Sequence, residues 1–152
     1  MSGAVPGSSS DDLALILTQL DGPEPLAAAC ALARVDVDAL PTDVGAVAVV
    51  RDASADGLAR AAGAISQMIK GIPVVALARS AGQVTATRWL DGVAQGDLPP
   101  GLVLDEAPAV LEDIMVGEIA PSDAPGFVSS AGLGRWKAAR MLARAARGAR
   151  RR

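Results

Sequence analysis

Six side chains stand where an α/β protein would place chemistry: Arg51, Asp52 and Ser54, then Arg79 and Ser80, then Asp105. Each group directly follows an apolar run. Two guanidinium groups can hold an anion, and carboxylates can act as acids, bases or ligands for hard cations. In open parallel sheets, ligands bind at the carboxyl ends of the strands. On that reading Asp21, Glu24 and Glu106 belong to the same edge. The plainer alternative is that strand-end loops are polar because they are solvated. The chain has no His, which removes the commonest general base, metal ligand and triad partner. Neither Asp21-Gly-Pro-Glu-Pro25 nor Arg51-Asp-Ala-Ser-Ala-Asp-Gly57 fits a phosphate-binding fingerprint. The expectation is therefore no cofactor and no metal site, and catalytic residues cannot be named.

Other positions carry weaker chemistry. The acids of Asp52-Ala-Ser-Ala-Asp56-Gly57 are spaced like part of a calcium loop, but the distant Glu is missing, and a helix-capping loop is the better reading. Cys30 lies in an Ala-rich stretch with no basic neighbour to activate it, so it reads as a small core residue. Trp89 reads as packing on the sheet. Ser129-Ser-Ala-Gly-Leu-Gly134 looks like an anion-cradling turn but lacks a preceding strand, and reads as a hinge.

The elements that must position these residues follow from the apolar pattern. Leu13–Leu20 is a short apolar run read as a buried strand, with a short helix as the alternative. Pro25 opens a helix from Leu26 to Arg34. Val44–Val50, continuous Val and Ala between polar residues, reads as a parallel strand buried on both faces. Ser54 then caps a helix to about Lys70, which Gly71 and Pro73 stop. Ile72–Ala78 is the next strand, Gln83 to about Gln95 a helix, Leu102–Leu104 a short strand, and Pro108 the start of another helix. Strands alternating with helices predict a small open parallel sheet of about four strands with helices on both faces.

With 152 residues, 51% of them apolar, the chain can build one real core. The expected domains are a flexible leader at 1–10, an α/β domain at 11–117, a Gly/Pro/Ser linker at 118–133 and a basic amphipathic helix at 134–152. No apolar run reaches the roughly 18–20 residues of a membrane-spanning helix. The N-terminus lacks the marks of a signal peptide. The single cysteine fits a reducing, cytoplasmic setting.

Charge is distributed very unevenly. Residues 134–152 hold 8 of the 14 basic residues and no acid, a formal +8. The remainder carries 6 basic residues against all 17 acids, a formal −11. On a helix of about 100° per residue, Lys137, Arg140, Arg144 and Arg147 fall within about 80° of one another. Ala138, Ala139, Met141, Leu142, Ala145 and Ala146 take the opposite arc, with Trp136 at the boundary. Such a helix can dock on the acidic body in cis or across a dimer, bind a protein partner or nucleic-acid phosphates, or lie on a membrane surface. The expected partner-binding residues are Trp136, Lys137, Arg140, Met141, Arg144 and Arg147.

Val44–Val50, the helix after it and Gly71-Ile-Pro-Val-Val-Ala-Leu resemble the middle of a response-regulator receiver domain. They also resemble the β-α-β core of crotonase-like proteins. The receiver family's acidic pair, phosphoacceptor Asp and Lys have no counterparts at Leu20-Asp-Gly, Val50-Arg-Asp or Leu104-Asp-Glu. The Gly-rich oxyanion loops of the crotonase family are missing. Either resemblance implies a degenerate member without catalysis. The sequence therefore predicts a non-catalytic α/β interaction or regulatory module acting through protein association or homo-oligomerisation, with the basic helix as its docking element. The alternative is a small enzyme or ligand-binding protein with an anion site at the strand edge.

Overall fold

The computed structural model describes residues 12–107, 109–115, 126–130, 137, 140 and 142–144. Its elements in chain order are β1 (Leu13–Leu17), α1 (Pro23–Leu32), β2 (Val37–Leu40), β3 (Val47–Val50), α2 (Ala55–Met68), β4 (Val74–Ser80), β5 (Gln83–Leu90), β6 (Val93–Leu98), α3 (Pro100–Asp105), α4 (Ala109–Met115) and β7 (Val128–Ser129). The strands form one seven-stranded sheet in the order β6-β5-β4-β1-β3-β2-β7. Every neighbouring pair is antiparallel.

This overturns the expected parallel sheet of about four strands. The helical crossover α2 does join two strands of the same direction, because β3 and β4 are each antiparallel to β1. They are not neighbours, however; β1 lies between them. The β1-α1-β2-β3-α2-β4 segment with sheet order 4-1-3-2 is the split β-α-β arrangement of ferredoxin-like folds. The chain widens it with β5 and β6 on one side and β7 on the other. The β-α-β core on which the receiver and crotonase resemblances rested has its two strands side by side, so the inserted β1 removes that basis.

The Val and Ala runs do report burial on both faces, and β2 and β3 are buried throughout. Alternate residues serve two different cores. Ala14, Ile16, Ala46, Ala48, Val50, Val74 and Ala76 pack with Leu26, Ala27 and Cys30 of α1 and Leu58, Ala61, Ala62 and Ile65 of α2. Leu15, Val47, Val49 and Leu77 face the other way, toward Leu111 and Ile114 of α4, with Val103 and Leu104 of α3 packed alongside. Alanines at 14, 46, 48 and 76 make up much of the face that carries the two longer helices, with Ile16, Val50 and Val74 among them. Larger Leu and Val side chains fill the face under the short helices. Two-sided burial gives the same continuous apolar run whether the neighbouring strands are parallel or antiparallel.

Two further elements differ from expectation. Residues 83–95 form a hairpin, β5 and β6, where a helix was expected. Val84 and Ala86 contact the face under α3 and α4, while Trp89, expected to pack onto the sheet from a helix, is itself in the sheet and packs toward α2. The tight turns Ala81-Gly82 (φ 53° and 78°) and Asp91-Gly92 (φ 51° and 88°) have both central residues left-handed, the conformation that two-residue hairpins favour. Leu102–Leu104 lies in helix α3, because Pro99 and Pro100 start a helix rather than a strand. Val37–Leu40, to which no element was assigned, is β2. Pro108 and residues 1–11 fall outside the described residues. No described helix is long and apolar enough to cross a membrane.

Candidate functional site

Arg51 follows β3 directly, and its backbone N–H donates to the Asp36 carbonyl at 3.0 Å. Its guanidinium Nη2 donates at 2.8 Å to Asp38 Oδ1 and at 2.8 Å to Ser129 Oγ. This one side chain therefore joins β2, β3 and β7. The hydrogen bond to Asp38 is the main cause that raises the Arg51 pKa above its ordinary value, with the Asp38 and Asp36 charges adding to it. The ion pair is half exposed on the arginine side, so its net contribution is small, on the order of 1 kcal/mol or less.

Asp52 and Ser54 build the start of α2. Ser54 Oγ accepts from Gly57 N at 3.0 Å, as an N-cap should. Asp52 Oδ1 in turn accepts from the Ser54 backbone N–H at 3.1 Å and from its hydroxyl at 2.6 Å. Those bonds, the hydroxyl's first, hold the Asp52 carboxyl below its usual range, and Arg60 adds to the effect. The carboxylate and carbonyl of Asp52 come so close to Gly57 that a Cβ there would clash with both. The capping-loop reading of this stretch is what the geometry displays.

These residues line a cleft of about 230 Å³ bounded by Arg34, Asp36, Arg51, Asp52, Gly57 and Arg60. Its lining includes three arginines and two aspartates. Both resolved pKa shifts, Arg51 upward and Asp52 downward, move away from neutrality. Neither group is therefore tuned as a proton donor or acceptor near pH 7. Among the described residues, no three Cys, Asp or Glu side chains converge as a metal set.

The expected single edge is only partly assembled. Arg79 pairs with Leu13, and the β1–β3 register, continued by two residues, brings Arg51 level with Leu13 on the other side. Arg51 and Arg79 thus share one end of the sheet with β1 between them, about 10 Å apart at two strand spacings. Ser80 is exposed at the β4–β5 turn. Asp105 does not join them. It ends α3, and the adjoining Glu106 lines a different groove with Leu17, Thr18, Val47 and Val75, at the far end of β1. Asp21 and Glu24 also follow β1 at that far end. An antiparallel neighbour sends its carboxyl end the opposite way, so the six side chains cannot all meet.

Sequence reading missed Arg34, Asp38, Arg60 and Ser130. Ser130 is buried, accepts from Val37 N at 2.8 Å and donates to the Val35 carbonyl at 2.8 Å. The alternation of Val35-Asp-Val-Asp-Ala-Leu40 was the available signal for β2 and Asp38. Nothing local marks Ser130, whose partners lie over 90 residues earlier. Ser129-Ser130, expected as a hinge, is held against β2.

In the basic segment, Lys137, Arg140 and Arg144 are helical and exposed, and Leu142 is half-buried. Trp136, Met141 and Arg147 lie outside the described residues. Cys30 is buried in the α1 core, where desolvation pushes its thiol up to about 12.

The chain matches no protein-family model, and no curated protein or solved structure matches it significantly.

Proposed function

We propose that this protein is a non-catalytic interaction module, and that its basic helical segment docks on an acidic protein surface. One observation carries the reading. Lys137, Arg140 and Arg144 point to solvent from a segment of charge +8, beside a body of charge −11. The strand-edge residues support it from the other side. Arg51, Asp52 and Ser54 are engaged with the protein's own β2, β7 and α2, which fits a structural role for them.

The body of a second copy is itself such an acidic surface. The test is sedimentation of the full chain over a range of concentrations, at low and high salt, beside the variant Lys137→Glu, Arg140→Glu, Arg144→Glu. The expected result is self-association that salt weakens and the triple reversal abolishes. Association that persists in the triple variant, or a full chain that is monomeric throughout, overturns the reading. In a parallel arm, retention of duplex DNA by the full chain with no self-association would favour phosphate binding instead.

A further inference from the structure

A groove of about 460 Å³ opens at the end of the sheet where β1 finishes and β3 and β4 begin. Its walls are Leu17 and Val75 of the sheet, Val103 and Ala107 from the α3 side, and Val44 from the β2–β3 loop. Val44 is 62% exposed. Ile72 and Leu102, two more of the exposed large apolar residues, adjoin the lining residues Pro73 and Val103. An open apolar patch of this kind marks an interaction surface. Among the described residues its only ionisable lining residue is Glu106, and the exposed Asp43 and Asp105 adjoin Val44 and Glu106 in sequence. Among the described residues, no Lys or Arg lines it.

We propose that this groove receives the basic segment of a second copy of the chain. The inference rests on the docking reading above and names the surface that does the docking. The segment has the matching pattern. Ala138, Met141, Leu142 and Ala145 follow the i, i+3, i+4, i+7 spacing by which a helix seats in an apolar groove. Lys137 borders that stripe, Arg140 and Arg144 lie on the arc behind it, and their long side chains can reach back toward the acidic residues beside the groove. Small Ala side chains let the helix backbone come close to a shallow groove. No described residue of 134–152 lines the groove of its own chain. Two chains exchanging segments reciprocally close a dimer, and both complementary surfaces are present on every copy.

The test uses the full chain with Glu106→Lys and, separately, Val44→Asp, beside the triple tail reversal. Both sites are exposed, so each variant should melt like the parent. Sedimentation equilibrium at low salt should give a dimer whose dissociation constant rises about tenfold in each groove variant. If the tail reversal abolishes the dimer while both groove variants leave it unchanged, the groove is not the seat and the docking reading survives. If the tail reversal leaves the dimer intact, or no dimer forms, both fall.

Discussion

Single side chains hold this sheet together where its hydrogen-bonded ladder is shortest. β7 pairs with β2 through only Asp38–Ser129 and Ala39–Val128. Ser130 extends that contact with a donor and an acceptor inside the core. Ser130→Ala would leave the Val37 N–H and the Val35 carbonyl buried without that partner, and urea unfolding should show a loss of about 1–3 kcal/mol. Asp52 acts at another seam, the start of α2. Its pKa is depressed in the folded protein, so its contribution is present above the ordinary carboxylate range and is lost as pH falls through the lower, folded value. Asp52→Asn should flatten the acid limb of the stability curve below about pH 4 and leave its shape near neutrality unchanged. Cys30 is closed off by α1 packing, with its thiol raised to about 12. A thiol reagent at pH 8 should modify it only at the rate at which the protein unfolds. Rapid labelling of the native protein would contradict the burial.

At the scale of elements, the sequence revealed which segments are buried and concealed how they are arranged. The strands at Leu13–Leu17, Val47–Val50 and Val74–Ser80 were readable because both faces are covered, and the Ser54 cap because it satisfies a helix N-terminus locally. Direction was not readable, since an apolar run does not encode its neighbour. The β5–β6 hairpin was readable in principle. Asp91-Gly92 after the Val-, Thr- and Trp-bearing stretch 83–90 is the strongest short hairpin signal, and the apolar residues Val84, Trp89, Leu90 and Val93 obscured it by fitting a helical spacing as well. Gly82→Val and Gly92→Val should each destabilise by about 1–2 kcal/mol, because a β-branched residue at positive φ is strained. β6 is an edge strand exposed along nearly its whole length, whereas β1 is central. Amide exchange should therefore be fastest in β6 and slowest in β1 and β3. Equal protection in β6 would indicate that something covers that edge. β7 could not be found from pattern, because two residues carry no period.

At the scale of the whole molecule, the charge division was legible from composition alone, and it survives the change of fold. The antiparallel sheet separates the acids and arginines once expected on one edge, and those that remain near β3 are engaged in structural bonds. Exposed among the described residues are Lys137, Arg140 and Arg144 of the basic segment and an apolar groove lined by Glu106. The basic segment is read from one stretch of sequence, whereas the groove is made by β1, β3, β4 and the α3 side together, which no linear reading could assemble. The most direct test is the sedimentation of the full chain at low salt, compared with the Lys137→Glu, Arg140→Glu, Arg144→Glu variant. Docking through the basic segment predicts a salt-sensitive dimer for the former and a monomer for the latter. A dimer of unchanged affinity in the charge-reversed chain would contradict it.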